Sequence, residues 1–172
     1  MSESHSQNFN HLKIHTQYSI CEGAARIDDL QEYSRKNKIK SLGLCDTSNL
    51  CGALEFAEKI SKSGTQPIIG TQINFTYENT TGLLPLIALN RSGYKRILEL
   101  SSKSYLHNST ISNPQLNISE LLENSKDIIV FSGSISGLFG KLFDKGKFED
   151  IKKLYKKLST ILGDRFYLEI QR

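Results

Sequence analysis

The chain has 172 residues, of which 38% are hydrophobic and 23% charged, so it can bury one core and is not of a disordered class. Its net charge of +4, from 22 basic and 18 acidic residues, is too small to indicate a nucleic-acid-binding domain by itself. Three cysteines without a CxxC spacing argue against a disulfide framework or a thiolate zinc site and favour the cytoplasm.

The first half of the chain alternates strand and helix patterns. Residues 1–10 are polar and are predicted to be a flexible leader, and no apolar run approaches the roughly 20 residues of a membrane helix. Residues 11–16 alternate polar and apolar side chains, which predicts a strand with Lys13 and His15 on one face. The next predicted elements are a helix over 26–35, a strand over 41–45, a helix over 50–61, and strands over 67–77 and 83–90 joined by a turn at 79–82.

The second half continues the alternation, which is typical of an α/β layered or barrel fold. The predicted elements are a helix over 92–106, a polar loop over 107–115, a helix over 118–123, a strand over 127–133, a helix over 148–162 and a strand over 164–170. The helix over 148–162 carries a lysine face, which we interpret as a solvated surface, with DNA binding as the alternative. Its lysines, with the one just before it, are Lys147, Lys152, Lys153, Lys156 and Lys157.

Several motifs in order resemble the PHP (polymerase and histidinol phosphatase) domain of bacterial DNA polymerase III alpha subunits. The first is HLKIHTQYSICEG at residues 11–23, where that family usually has His-Leu-His-x-His-Ser/Thr-x-Tyr/Phe-Ser-Leu-Leu-Asp-Gly. Further similar stretches are residues 44–56, 66–72, 86–94, 129–133 and 164–171. The resemblance implies a partial PHP-type distorted β/α, TIM-like barrel of about six strands alternating with helices. Residues 11–172 would be its N-terminal part, truncated before the last barrel strands.

Active members of this family hold several metal ions on histidine and carboxylate ligands at strand ends, and the resemblance implies that most of these ligands are replaced here. Lys13 stands where the first histidine of the His-x-His pair is expected, and a cation repels a metal. Thr47 and Pro85 stand at two further histidine positions, Gln72 at a glutamate position and Ser134 at a cysteine position. These positions are therefore interpreted as vestiges of a degenerate metal site.

The remaining candidates for metal ligation are His15, Glu22 and Asp46. The local alternatives are a hydrogen-bonded strand histidine for His15, and helix capping or bonding to local backbone amides for Asp46. We hypothesise that the Lys13 ammonium occupies the emptied metal position and pairs with Glu22 or Asp46. No catalytic residue and no cofactor are therefore expected; zinc or manganese would be needed only if the chain is an active enzyme.

The resemblance favours a non-catalytic structural and docking module. The expected partners are the remaining polymerase domains of a parent chain, the proofreading exonuclease subunit, and DNA through the parent holoenzyme. The parent would be a DNA-directed DNA polymerase, a nucleotidyltransferase of chromosome replication whose catalytic residues lie in other domains. The alternative is a metal-dependent PHP phosphoesterase or 3′–5′ exonuclease that uses His15, Glu22 and Asp46.

Overall fold

One mixed sheet organises the part of the chain that the computed structural model describes, residues 9–106 and 113–170. Its six strands are β1 (Ser41–Thr47), β2 (Gln66–Tyr77), β3 (Thr80–Ala88), β4 (Gln115–Asn117), β5 (Ile128–Phe131) and β6 (Phe166–Tyr167). In the strand order β1-β2-β3-β5-β6, the outer pairs β1–β2 and β5–β6 are parallel, and β3 is antiparallel to both of its neighbours. The short β4 pairs with the C-terminal part of β2. This arrangement agrees with the expected α/β class and with a partial distorted barrel.

Helices follow most strands and cover the sheet. They are α1 (Ile27–Asn37), α2 (Ala53–Lys62), α3 (Arg91–Leu106), α4 (Ile118–Glu123), α5 (Leu138–Asp144) and α6 (Phe148–Leu162). The first turn of α1 carries two acids and its last turn two bases, the arrangement that the helix dipole favours. None of the helices in the described ranges is long and apolar enough to cross a membrane.

Two hydrophobic clusters fill the interior. The larger one joins β2, β3 and β5 to α3 through α6, and α6 contributes Leu154, Leu158 and Leu162 to it. The smaller cluster lies between β1, α1 and α2, with Phe56 fully buried at its centre. Because the apolar face of α6 packs against the larger cluster, its lysines lie on the solvent side.

The segment over 11–16, predicted to be a strand, is extended but forms no regular strand. It runs beside β1 through three backbone hydrogen bonds, of which the shortest joins the Gly43 amide to the His11 carbonyl at 2.7 Å. A side chain at Gly43 would come within 2.6 Å of the Leu12 backbone, so glycine allows this close approach. The segment's bridges are isolated ones, from Ile14 to Leu44 and from Thr16 to Ala25, so the predicted strand is not continuous.

The hairpin turn between β2 and β3 lies earlier than the predicted 79–82. Its two residues are Glu78 and Asn79, with φ of 45° and 59°, the pair of positive values that a two-residue type I′ turn requires. Gly82, which suggested the later turn, lies inside β3, where a side chain would come within 2.5 Å of the Leu138 backbone. The glycine thus serves helix packing rather than the turn.

Other boundaries also differ from the predictions. The last predicted strand shortens to β6 after a 3₁₀ turn at Gly163–Arg165, and β4 and α5 had no clear periodic signal. Helix α4 has the predicted bounds, and α6 spans the predicted 148–162. Of the predicted polar loop, residues 107–112 lie outside the described residues, as do residues 1–8 of the predicted leader.

Candidate functional site

Three of the predicted vestigial positions form a row across neighbouring strands. In the sheet register Thr47 is opposite Gln72, and Gln72 is opposite Pro85. The Gln72 Nε2 donates to the Thr47 hydroxyl at 2.7 Å, and that hydroxyl donates in turn to the Glu22 carboxylate. The row therefore contains an amide, a hydroxyl and a proline ring where the resemblance expects a carboxylate and imidazoles.

Asp46 is fully buried and its carboxylate is committed to three donors. It accepts from the Thr16 amide at 2.6 Å, from the Thr16 hydroxyl at 2.8 Å and from the Ser19 hydroxyl at 2.6 Å. It does not cap the following helix, whose N-cap is Gly52 with no side-chain cap. Asp46 thus ties the 11–25 segment to the end of β1, and charge-assisted bonds of this kind are among the stronger ones.

His15 lies beside this network. Its Nδ1 is 3.5 Å from the Ser19 hydroxyl and 3.8 Å from the Glu22 carboxylate. Burial lowers the pKa of His15 below its ordinary 6.5; Glu22 opposes this shift, and the nearby Lys13 ammonium adds to it. The net direction favours a neutral ring.

Lys13 pairs with a carboxylate that the sequence patterns had not singled out. Its Nζ lies 2.9 Å from Glu169 Oε1, and the two side chains are 22% and 15% exposed. The Glu169 amide donates to the Ser132 hydroxyl at 2.9 Å, and the Ser132 amide donates to the Tyr167 carbonyl at 2.9 Å. The predicted pairing of Lys13 with Glu22 or Asp46 is therefore wrong, because the segment after β6 brings a different acid to the ammonium.

The Lys13–Glu169 pair borders a cavity of about 460 Å³ that residues of β1, β3 and β5 and of the 9–13 segment line. Its other lining residues are mainly apolar and include Cys45, Pro85 and Phe131. Burial raises the pKa of the Cys45 thiol to about 12, with the nearby Lys13 charge acting in the opposite direction. This thiol is therefore neutral at physiological pH.

Ser134 is not brought into this network. Its hydroxyl lies 3.3 Å from that of Ser136, within the loop that follows β5. The structure thus brings together Lys13, His15, Glu22, Asp46, Thr47, Gln72 and Pro85 around the end of β1 and the adjoining middle parts of β2 and β3, with Ser134 in a neighbouring loop. The residues that sequence reasoning missed are Glu169, Ser19 and Thr16.

These side chains do not fit a multinuclear metal centre. Within the described ranges no group of three or more His, Cys, Asp and Glu side chains is arranged to hold a metal ion. The buried carboxylate of Asp46 faces three hydrogen-bond donors, and Lys13 places a positive charge where a ligand is expected. A site that needs several anionic or neutral donors for each ion lacks them here.

The mixed six-stranded sheet and its helices define an α/β fold. The PHP domain model matches residues 11–172, and the chain belongs to this family. The chain is 33% identical over 180 residues to the DNA polymerase III subunit alpha of Caulobacter vibrioides and 35% identical over 165 residues to that of Rickettsia felis. These matches cover 100% and 95% of this chain but only 16% and 14% of the relatives, so the chain spans about one seventh of their length.

Among solved structures, the chain is similar to a protein from Bifidobacterium adolescentis assigned as a metal-dependent phosphoesterase. The match has a TM-score of 0.45 and 16% identity, and it covers 86% of this chain and 54% of the other. An amidohydrolase from Chromobacterium violaceum, solved with sulfate and no metal, matches with a TM-score of 0.43 and 14% identity over the same shares of the two chains.

Proposed function

We propose that the chain is a non-catalytic structural and docking module of a replicative DNA polymerase III alpha subunit, whose parent performs template-directed DNA synthesis. The observation that carries this proposal is the 2.9 Å ion pair between Lys13 and Glu169. A cation that belongs to the chain stands at the position where an active family member needs an uncharged imidazole. The pair supplies locally the positive charge that a metal would otherwise supply.

The polar row supports the same conclusion. Gln72 donates to Thr47 and Thr47 donates to Glu22, so these side chains bond to one another without a bound ion. The Asp46 carboxylate likewise accepts hydrogen bonds from Thr16 and Ser19. A carboxylate enclosed by three donors would have to give up those bonds to bind a metal.

The proposed role includes partners and a location. The partners are the remaining polymerase domains of the parent chain, the proofreading exonuclease subunit and, through the parent holoenzyme, DNA. A chromosomal replicase works in the cytoplasm of bacteria, so the proposal places the chain there. Its three cysteines are free thiols in the structure, which agrees with a reducing compartment.

Measurements of metal content and of hydrolytic activity test the proposal that the chain is non-catalytic. The chain is purified from cells supplied with zinc and manganese, analysed by inductively coupled plasma mass spectrometry, and assayed with a chromogenic phosphodiester and a 3′-labelled oligonucleotide. We expect far less than one bound metal per chain and no turnover above the background rate. Stoichiometric metal together with turnover that is lost in His15→Ala would establish the phosphoesterase or exonuclease instead.

A variant with restored ligands is the matched positive control for this measurement. Lys13→His, Thr47→His and Gln72→Glu combined replace three vestigial residues by the ligand types that the family resemblance expects. Metal uptake by this variant, but not by the unchanged chain, would attribute the inert site to these residues. Docking is tested separately, by isothermal titration calorimetry of the chain with the proofreading exonuclease subunit; absence of binding would remove that part of the proposal.

A further inference from the structure

The positive charge of the chain is concentrated in one helical pair. Residues 138–162, which comprise α5 and α6, contain seven lysines and three acids, an excess of four. The whole chain has a net charge of +4, so the remaining residues are balanced between bases and acids. A charge asymmetry of this kind creates a local positive potential that a net value for the chain does not reveal.

Three of these lysines surround the hairpin turn between β2 and β3. The Lys145 ammonium donates to the Thr80 hydroxyl at 3.3 Å, and the Lys147 ammonium donates to the Glu78 carbonyl. The Lys157 ammonium lies 5.3 Å from the centroid of the Tyr77 ring. Cations from the linker between α5 and α6, and from α6 itself, thus lie around this turn.

The outer face of α6 extends this positive surface. Lys153 and Lys156 are exposed and lie on the side opposite the buried Leu154 and Leu158. Nearby acids compensate only some of the lysines: Glu149 pairs with Lys152 at 2.7 Å, and Asp150 lies 4.0 Å from two others. Within residues 9–106 and 113–170, Lys145, Lys156 and Lys157 form no ion pair.

Exposed aromatic rings adjoin the lysines. Phe143 at the end of α5 and Phe148 at the start of α6 are 61% and 53% exposed, and their rings meet edge to face with centroids 5.5 Å apart. Phe148 is followed at i+4 and i+8 by Lys152 and Lys156, so ring and ammonium groups share one stripe of the helix. Two large rings left in water beside cations are a feature that a solvated charged face does not need.

We propose that this α5–α6 surface binds single-stranded nucleic acid, with the lysines contacting the sugar-phosphate backbone and Phe143 and Phe148 stacking on unpaired bases. Lysines along a strip and exposed rings beside it are the two elements of single-strand recognition without sequence preference. A duplex offers the phosphates but keeps its bases stacked inside, so the exposed rings favour a single strand. The inference does not rest on the proposed absence of a metal, because none of its lysines or aromatic rings lines the cavity beside Lys13.

Fluorescence anisotropy of a labelled oligothymidylate of about 20 nucleotides tests the proposal. The 172-residue chain is titrated at salt concentrations between about 50 and 200 mM, and the slope of log K against log salt is measured. A single strand contributes about −0.7 per neutralised phosphate, so four or five contacts predict a slope of about −3. A duplex of equal length is titrated in parallel and should bind at least about fivefold more weakly, since it offers no bases for stacking.

Two triple variants with the same charge change separate a local surface from a general charge effect. Lys153→Gln, Lys156→Gln and Lys157→Gln together should weaken binding at least about tenfold at low salt and reduce the slope by about two. The control, Lys36→Gln, Lys40→Gln and Lys62→Gln, changes exposed lysines elsewhere and should alter affinity less than about twofold. Phe143→Ala with Phe148→Ala should weaken binding about fivefold or more while leaving the salt slope unchanged.

Circular dichroism and thermal unfolding establish that each variant is folded. If the triple lysine variant were unfolded, Lys156→Gln alone should still lower the slope by about 0.7. The proposal is overturned by an absence of binding at about 50 mM salt, by equal losses in the two triple variants, or by a duplex that binds as tightly as the single strand.

Discussion

Breaking the Lys13–Glu169 ion pair should destabilise the fold. At 2.9 Å and an effective dielectric constant of about 20, two unit charges attract by roughly 6 kcal/mol. The side chains are only 22% and 15% exposed, so desolvation and lost side-chain entropy offset most of that attraction. We expect a coupling free energy of about 1–3 kcal/mol, above the 0–1 kcal/mol typical of surface pairs.

Urea unfolding of a double-mutant cycle measures this coupling. Lys13→Gln and Glu169→Gln are made singly and together, and the free energy of unfolding of each is obtained by linear extrapolation. Each single variant should lose about 2 kcal/mol, which corresponds to about 4–8 °C in Tm, and the double variant should lose less than the sum of the two.

The chain contains a matched control for the cycle. Lys152 and Glu149 form a pair of the same residue types at 2.7 Å, but their side chains are 73% and 74% exposed. The same cycle on this pair should give a coupling of about 0.5 kcal/mol or less, because water screens both charges. Additive losses at Lys13 and Glu169, or equal couplings in the two pairs, would refute the argument that burial makes the first pair a structural tie.

Two further predictions concern single side chains of the site. Because burial lowers the pKa of His15, its folded-state pKa lies below the unfolded 6.5; stability is therefore complete above pH 6.5 and decreases as the pH falls below it. His15→Gln should flatten this decrease in urea unfolding between about pH 7.5 and 5.5, and an unchanged pH dependence in this variant would contradict the prediction. Because burial raises the pKa of Cys45 to about 12, Ellman's reagent should label the exposed Cys21 and Cys51 rapidly and Cys45 only after denaturation; rapid labelling of all three thiols would contradict the structure.

The sequence was sufficient for elements whose apolar residues follow a clear period. Helix α6 was predicted from its period because Leu154, Leu158 and Leu162 recur at four-residue spacing on one face. The 11–16 segment also alternates, but its backbone makes only isolated bridges, from Ile14 to Leu44 of β1 and from Thr16 to Ala25. An alternating pattern of side chains indicates which face of a segment is buried. A regular strand also requires its backbone to pair continuously with a neighbouring strand.

The candidate site was predictable in its members but not in their pairing. The motif resemblance located Lys13, Thr47 and Gln72, and the sheet register brings the last two together. The partner of Lys13 lies 156 residues further along the chain, in a segment whose pattern indicated only a strand. No local sequence pattern relates residues that far apart. An acid in a largely apolar stretch, such as Glu169, does indicate that a cation from elsewhere in the chain pairs with it.

The replacements in this site form compensating sets rather than independent losses. An ammonium at Lys13 without Glu169 would be a poorly compensated charge beside an apolar cavity, and Asp46 without its donors would be a buried anion. In the structure each charge meets a partner supplied by the chain, and the amide of Gln72 meets the hydroxyl of Thr47 in the same way. The charged groups of this site are therefore paired within the chain, and removing either member of a pair should leave its partner poorly compensated.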